Sequence, residues 1–410
     1  CPALGISIPV GKDSMSMQTV WQDDHEHKVV APLSLIISAF APVSDARRTL
    51  TPQLAVQKDT RLWLLDLGRG RHRLGGSIYA QVHARLGDCP PDVDEAEKLK
   101  SLFEFVQAAN AQGLLLAYHD RSDGGLIASL CEMAFASRCG LAIDLAEEDA
   151  DAAALLFNEE LGAVFQVSMQ HEDAMQALAI SCGIDDCLLP LGTPGAGEQI
   201  TVRHQGETLV DVSRVDLHRA WSETTWKMQS LRDHPECAQQ EYDRIHDTRD
   251  PGLHAKLNFE IQAPALNTGA GPKMAILREQ GVNGQIEMAA AFDRAGFDAV
   301  DVTMSDLVDG RHLLSEFHGF VACGGFSFGD VLGAGEGWAK SILFNHKLRD
   351  QFEAYFASPD KISLGVCNGC QMLAYLSSII PGTEHWPHFV RNRSEQFEAR
   401  YVMAEVLDSP

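Results

Sequence analysis

The sequence predicts a protein of more than one domain, in which a mixed α/β and α+β part precedes a doubly wound parallel sheet. Its 410 residues suffice for roughly two to three domains, and each could bury its own core. Up to about residue 226 the predicted strands and helices come in irregular order, whereas from Pro272 onward they alternate. Alternation is typical of a parallel sheet covered by helices, and ligands bind such sheets at the carboxyl ends of the strands.

The elements of the first half are predicted from apolar runs separated by turn residues. The run at 33–40 predicts a buried strand. Further strands are predicted at 62–67, 114–118, 163–167 and 199–202, with helices at 78–86, 92–110 and 126–136. Residues 227–270 are polar and poor in apolar runs, which is typical of a surface linker that contains a domain boundary. We therefore expect domains at 1–50, 51–226 and 271–410, with a linker at 227–270.

The elements of the second half follow one another more regularly. Strands are predicted at 274–277, 299–302, 320–323 and 362–366, and helices at 286–295, 331–344 and 371–378. This order predicts the parallel sheet.

Composition and charge exclude several classes of protein. Hydrophobic residues make up 45% and charged residues 22%, as in ordinary folded proteins. The formal net charge of −24 disfavours nucleic acid and anionic membranes as partners. The apolar stretches at 29–44 and 362–383 are interrupted by proline, glycine or amide residues, so no membrane span is expected.

Ten cysteines without regular spacing, and no secretion signal, favour reduced thiols and a cytoplasmic protein. The chain starts at Cys1 and its last residues resemble an interrupted strand. We therefore expect a fragment of a longer protein.

A cysteine lies between the predicted strand at 362–366 and the helix after it. Gly365, Cys367 and Gly369 form the pattern Gly-x-Cys-x-Gly, a nucleophile elbow with cysteine in place of serine. The N–H group of Asn368 is then placed to hold an oxyanion. A structural cysteine, or a redox or metal pair with Cys370, is the alternative. Cys370 itself is expected to pack inward.

A second glycine-rich segment follows the strand at 320–323. The N–H groups of Gly324 and Gly325 could complete an oxyanion hole, although a turn that needs positive φ explains the pair as well. Glycines at 333, 335 and 337 do not directly follow a strand, so no dinucleotide site is predicted there.

A third motif, at 119–125, connects a predicted strand to a predicted helix. The carboxylate of Asp120 suits Mg²⁺, and Gly124 and Gly125 would let a phosphate approach the helix N-terminus. A helix-capping turn is an equally good interpretation.

Two further stretches receive weaker interpretations. Residues 11–14 fail as a P-loop because Asp13 stands where serine or threonine is needed, so Lys12 either contacts a phosphate or closes a turn. Residues 158–162 are interpreted as a solvated helix end without chemistry.

The motifs at 365–371 and 324–330 resemble the class I (triad) glutamine amidotransferases, and more narrowly the formylglycinamide ribonucleotide amidotransferase family. The similarity continues at 221–229, 119–125 and 11–17 and covers essentially the whole chain. It implies a synthase part like aminoimidazole ribonucleotide synthetase, with the end of one subdomain at 1–50 and a second at 51–226. A glutaminase with a flavodoxin-like sheet, incomplete at its C-terminus, would follow at 271–410.

The resemblance implies an ATP-dependent carbon–nitrogen ligase of purine biosynthesis that acts as a monomer. Glutamine would form a thioester with Cys367, and the released ammonia would react with formylglycinamide ribonucleotide activated by ATP. Around the glutamine it implies Gly324, Gly325, Asn368 and Gln371. Around the nucleotide it implies Asp120 as a Mg²⁺ ligand and Ser122 as an ATP contact, with His119, Asp123, Gly124 and Gly125 as supporting residues. Lys12 remains a candidate phosphate contact.

The base and acid of that family form a His-x-Glu pair downstream of the cysteine, which we expect beyond residue 410. His234 and Glu236 have the right spacing but lie upstream, in the predicted linker, and are expected to be surface residues. Without the pair, Cys367 is expected to turn over glutamine poorly. The rival hypotheses are a cysteine hydrolase fused to an unrelated domain and a non-catalytic binding module.

Overall fold

The computed structural model describes residues 1–31, 34–56, 59–145, 150–250, 252, 260, 271–399 and 402. The chain divides into two compact units, Cys1–Asp250 and Pro251–Pro410. This division falls inside the segment predicted as a linker. Within the described ranges, no helix is both long and apolar enough to cross a bilayer.

The elements of the first unit alternate irregularly between strand and helix. The strands are β1 (Gln18–Gln22), β2 (Glu26–Val30), β3 (Thr60–Asp66), β4 (Leu115–Asp120), β5 (Gly140–Asp144), β6 (Gly162–Ser168), β7 (Leu188–Gly195), β8 (Gln199–His204) and β9 (Glu207–Ser213). The helices are α1 (Ile78–Val82), α2 (Ala96–Ala111), α3 (Gly125–Ser137), α4 (Ala152–Phe157), α5 (Glu172–Cys182), α6 (Arg214–Arg232) and α7 (Pro235–Asp243).

A seven-stranded sheet in the order β4-β6-β3-β7-β5-β8-β9 forms the centre of this unit. Its neighbours are antiparallel except for β5 and β8, which are parallel. Successive side chains of β3 point to opposite faces: Leu62 and Leu64 belong to one core and Trp63 and Leu65 to another. Helix α3 covers the first face, and helices α2 and α5 cover the second.

The predicted buried strand at 33–40 is wrong for residues 34–40, while Leu33 lies outside the described residues. Residues 34–40 have no regular structure, and Leu35, Ile36 and Phe40 are 85%, 91% and 96% exposed. An apolar run becomes a buried strand only where a sheet or helix covers it, and no described element of this unit does so.

Most of residues 227–243, predicted as part of a linker, is helical: one helix runs to Arg232 and the next spans Pro235–Asp243. Helix α6 continues past Trp226, and α7 packs back against it. The Trp226 and Tyr242 rings stack with centroids 4.6 Å apart, and the Arg219 guanidinium lies 3.9 Å from the centroid of the Tyr242 ring. Because rings and a cation hold these helices together, the segment shows little of the aliphatic periodicity by which helices are predicted.

The second unit contains the predicted parallel sheet. Its strands are β10 (Lys273–Arg278), β11 (Asp298–Thr303), β12 (Gly319–Ala322) and β13 (Ile362–Gly365), and its helices are α8 (Gln285–Arg294), α9 (Met304–Asp309), α10 (Glu336–Leu343), α11 (His346–Phe356) and α12 (Asn368–Tyr375). The strand order is β11-β10-β12-β13, and every pairing is parallel. The carboxyl ends of β12 and β13 therefore lie side by side. The predicted helix at 331–344 begins only at Glu336, because Gly333 and Gly335 have φ angles of 125° and 76°.

Candidate functional site

Cys367 lies where strand β13 turns sharply into helix α12. It is exposed, and its φ and ψ angles are 52° and −113°, a region that residues with a side chain rarely adopt. A Cβ atom on Gly369 would lie 2.0 Å from the carbonyl oxygen of Ala322, and one on Gly365 would lie 2.8 Å from the Cα atom of Cys370. The two glycines thus permit the close approach of helix and strand that the elbow requires.

Gly324, at the end of β12, lies beside this cysteine. A Cβ atom built on Gly324 would be 3.2 Å from Cys367 Cβ and 3.9 Å from its Sγ. On either side of Gly324 and Gly325, the N–H group of Cys323 donates to the carbonyl oxygen of Leu277 at 3.2 Å, and that of Phe326 donates to the carbonyl oxygen of Gly281 at 2.9 Å. The structure therefore brings together the two glycine-rich strand ends that the sequence singled out.

The first turn of α12 supplies N–H groups next to the thiol. Gly369 donates to the carbonyl oxygen of Val366 at 2.9 Å, and Gln371 donates to that of Cys367 at 3.1 Å. The N–H group of Asn368 remains the donor nearest in sequence to the nucleophile. Gln371 is half-buried in the same turn.

The side chain of Asn368 joins the two strand ends. It is 1% exposed. Its Oδ1 accepts a hydrogen bond from the N–H group of Ser327 at 3.2 Å, and its Nδ2 donates to Asp330 Oδ1 at 3.1 Å. No local pattern in the sequence predicts this link, because its partners are some forty positions apart.

The expected inward packing of Cys370 is wrong, since this residue is exposed. It lines a cavity of about 350 Å³ together with Leu364 of β13 and Trp386. Strand β13 is the edge of the sheet in the part of the chain that the structure describes, so the side of α12 next to it stays open. All ten cysteines are free. Burial raises the pKa of the Cys323 thiol to about 11, whereas Cys367 is accessible to reagents.

His234 and Glu236 begin helix α7 in the first unit. His234 is its N-cap and Glu236 lies in its first turn. The two residues therefore belong to a helix terminus, where Glu236 is exposed and His234 is partly buried.

In the first unit, Asp120 ends strand β4 with its side chain exposed. The hydroxyl group of Tyr118 donates to Asp120 Oδ1 at 2.6 Å, and burial together with this carboxylate raises the pKa of Tyr118. Glu132 holds the neighbouring His119, whose Nε2 lies 2.9 Å from Glu132 Oε2. Trp221 Nε1 donates to Glu132 Oε1 at 3.2 Å, so a residue of the similarity at 221–229 supports the motif at 119–125.

Gly124 and Gly125 make a different contact from the predicted phosphate. The N–H group of Gly124 donates to Glu159 Oε1 at 2.8 Å, and the same oxygen accepts from Ile78 at 2.9 Å. A Cβ atom on Gly125 would lie 2.6 Å from backbone atoms of Phe157 and Asn158. The two glycines therefore allow the segment 157–159 to lie close to the start of α3. The N-terminus of this helix binds the carboxylate of Glu159.

The interpretation of residues 158–162 as a solvated helix end is wrong. Asn158 and Glu160 are each 1% exposed. Arg73 Nε donates to Glu160 Oε1 at 2.6 Å, and Arg121 Nε donates to the Glu160 carbonyl oxygen at 2.6 Å. Arg121 also pairs with the buried carboxylate of Asp66. The sequence feature that could have predicted this burial is the position of these three polar residues, 158–160, between two apolar runs.

A Mg²⁺ ion would find two exposed carboxylates at this motif, Asp120 and Asp123. Among the residues that the structure describes, no group of three or more His, Cys, Asp or Glu side chains could hold a metal. That arrangement fits an ion that keeps most of its waters and shares phosphate oxygens. Ser122 is exposed nearby. Lys12 donates to the Asp13 carbonyl oxygen at 2.6 Å and to Ser14 Oγ at 2.9 Å, which is the turn-closing alternative.

Several solved structures are distantly similar to this chain. PurLQS from Thermotoga maritima is 15% identical with a TM-score of 0.35, covering 41% of this chain and 27% of that chain. T. maritima PurL complexed with ATP is 14% identical with a TM-score of 0.32 and the same coverage. The E. coli hydrogenase maturation protein HypE is 18% identical with a TM-score of 0.29, covering 40% and 51%. The chain thus spans about a quarter of the length of the PurL chains it matches.

Three family models match the chain in succession. The FGAR-AT PurM_N-like domain matches residues 1–42, the C-terminal domain of AIR synthase related proteins matches 60–201, and the CobB/CobQ-like glutamine amidotransferase domain matches 271–410. The last contains the elbow cysteine and the second contains the motif at 119–125. With these domains in this order, the three matches confirm the predicted resemblance to the formylglycinamide ribonucleotide amidotransferase (FGAR-AT) family.

Proposed function

We propose that the chain is part of an ATP-dependent ligase that makes formylglycinamidine ribonucleotide from formylglycinamide ribonucleotide, with glutamine as nitrogen donor. Glutamate, ADP and phosphate are the other products. The observation that carries the proposal is the exposed Cys367 in an elbow conformation, next to Gly324 and at the start of α12.

The chemistry at Cys367 is acyl transfer. The thiolate attacks the carboxamide carbon of glutamine, and the N–H groups of Asn368 and of Gly324 or Gly325 stabilise the resulting oxyanion. The C–N bond breaks, ammonia leaves with an added proton, and a thioester remains. Water then releases glutamate. The base for these proton transfers would be the His-x-Glu pair that the family resemblance implies.

The synthase step takes place in the part of the protein that contains Asp120. Asp120 would hold Mg²⁺, which neutralises charge on the phosphates of ATP, and Ser122 would contact the nucleotide. ATP phosphorylates the amide oxygen of formylglycinamide ribonucleotide, and ammonia displaces the phosphate. Ammonia is protonated in bulk water, so an enclosed path would keep it nucleophilic.

The test uses Cys367→Ala in the complete parent protein. Glutamine-dependent synthesis should be lost, while synthesis from an added ammonium salt continues, because the thiolate serves only to release ammonia. Cys370→Ala, which removes an exposed thiol three residues away, is the matched control and should retain both activities.

Two outcomes would contradict the proposal. One is glutamine-dependent synthesis by the Cys367→Ala variant. The other is loss of both activities in a variant that is still folded.

A further inference from the structure

Asn368, next to the nucleophile, is hydrogen-bonded at both ends of its amide. Its oxygen accepts from the N–H group of Ser327 and its nitrogen donates to Asp330, at 3.2 and 3.1 Å. Both partners belong to the loop after β12, which begins with Gly324. The amide thus connects the helix that carries one expected oxyanion donor to the loop that carries the other.

The loop needs such an anchor, because three successive residues have left-handed backbone angles. Phe328, Gly329 and Asp330 have φ angles of 53°, 63° and 55°. Such conformations cost about 1–3 kcal/mol for a residue with a side chain, and persist only where the surroundings impose them. At its beginning the loop is held by Phe326 and Phe328, whose N–H groups donate to Gly281 and Gln280. Asn368 holds its other end.

We propose that the Asn368–Asp330 hydrogen bond is a positioning device that keeps the N–H groups of Asn368 and of Gly324 and Gly325 at a fixed spacing around the oxyanion. Asn368 and Asp330 are positioning residues in this role. The proposal rests on the proposed function only in that Cys367 forms an acyl intermediate. A purely structural link would instead affect stability and every reaction of the thiol alike.

The link can be removed and restored by small changes. Asp330→Gly removes the hydrogen bond. Because glycine is the residue best suited to a φ of 55°, this change does not raise the strain of the loop. Asp330→Asn keeps an acceptor oxygen for Asn368. Asn368→Asp keeps an acceptor for Ser327 but removes the donor to Asp330 and places two carboxylates together. Combining Asn368→Asp with Asp330→Asn reverses the pair and restores the hydrogen bond between residues 368 and 330.

Two probes of Cys367 in the full chain separate positioning from general thiol reactivity. p-Nitrophenyl acetate acylates the thiolate through an oxyanion, with loss of p-nitrophenolate. Iodoacetamide alkylates the same thiolate by displacement of iodide, and no oxyanion forms. Because Cys1, Cys89 and Cys370 are also exposed, the modification of Cys367 is quantified on its peptide by mass spectrometry.

We expect Asp330→Gly and Asn368→Asp to slow acylation about tenfold, less than outright loss of an oxyanion donor. Alkylation of the Asp330→Gly variant should stay within about twofold of that of the unsubstituted chain. Asp330→Asn should match the unsubstituted chain, and the reversed pair should recover most of the acylation rate.

Three outcomes would overturn the proposal. The first is equal slowing of acylation and alkylation, and the second is an unchanged ratio of acylation to alkylation in Asp330→Gly. The third is a reversed pair that is acylated no faster than Asn368→Asp. A separate arm tests the glutaminase assignment: glutamine should protect Cys367 from iodoacetamide. Failure of that protection would count against the proposed function, while the ratio of acylation to alkylation would still report on the link.

Discussion

Gly369 brings the elbow helix into contact with strand β12. A methyl group at this position would lie 2.0 Å from the carbonyl oxygen of Ala322, and neither the helix nor the central strand can shift without disturbing the sheet. The absence of a side chain is therefore a requirement of the site.

Gly369→Ala should lower the stability of the chain by about 3 kcal/mol, because one of two packed backbones must move. The matched control is Gly310→Ala, where a Cβ atom meets nothing within 4 Å and only the φ of 75° is unfavourable. It should cost about 1 kcal/mol. Thermal unfolding measures both, and equal losses would show that the close approach is not real.

Asp66 is a second residue whose environment decides its behaviour. Burial alone would raise its pKa, but the charge and hydrogen bond of Arg121, with the N–H groups of Gly70 and Gly68, hold it below the usual 3.8. Since the unfolded chain binds the proton more tightly, this carboxylate stabilises the fold above about pH 4. The stabilisation is lost as the pH falls through the lower pKa of the folded state.

Asp66→Asn should destabilise the first unit by about 3 kcal/mol at neutral pH, because Arg121 stays buried without a counter-charge. The difference in free energy of unfolding from the unsubstituted chain should be constant from about pH 5 to about pH 7 and narrow below about pH 4. Denaturant titrations at several pH values measure it.

Asp45→Asn is the control for this experiment. Its carboxylate lies 2.8 Å from Arg47 in an exposed pair, and exposed pairs contribute little. If the loss of unfolding free energy in Asp66→Asn were as large at low pH as at neutral pH, the charge of Asp66 would not be its cause.

The carboxylate of Glu159 accepts hydrogen bonds at the N-termini of both α1 and α3. Glu159 Oε1 accepts from the N–H groups of Ile78 and Gly124, so one side chain satisfies a donor at two helix N-termini and stabilises both dipoles.

Glu159→Ala should cost about 1–2 kcal/mol of stability, whereas Glu159→Gln keeps an acceptor and should cost less. Glu223→Ala, which breaks an exposed pair with Lys227, is the control and should be close to neutral. Chemical denaturation gives all three values. A Glu159→Ala variant as stable as the control would mean that water replaces the carboxylate.

The elements that the sequence predicted well are those whose signal is local. The four strands of the parallel sheet are short apolar runs between helices, and the elbow at Cys367 is a five-residue pattern. Asn368, Asp330 and Glu159 were missed as partners because their contacts join distant segments, and nothing in a local pattern records a pairing. Residues 34–40 were wrongly predicted as a buried strand, because an apolar run contains no information about which element would pack against it.

For the whole molecule, one feature that the site does not use is a set of exposed apolar side chains in the described ranges 1–31 and 34–43. Leu35, Ile36 and Phe40 are among the most exposed of them. Exposed apolar side chains this close together in sequence favour association, even in a chain with a net charge of −24.

Replacing Leu35, Ile36 and Phe40 together with serine should change the melting temperature little, because the side chains bury almost no area. Binding of a hydrophobic dye and self-association measured by sedimentation should both fall. The control changes Leu231 and Phe344, two side chains that are 91% and 81% exposed and lie far apart in sequence, and should leave both readouts unchanged. A large fall in melting temperature for the triple variant would show that these side chains are buried in solution.

The backbone angles of Cys367 also bear on how such a site is inherited. Glycine adopts this conformation without strain, so Cys367→Gly should leave a chain that folds at least as well and has lost its thiol. A duplicated gene copy released from selection would meet no folding penalty in drifting from cysteine to glycine at this codon. Under the proposed function, a glycine at the same codon in another lineage would therefore mark the loss of selection on the thiol.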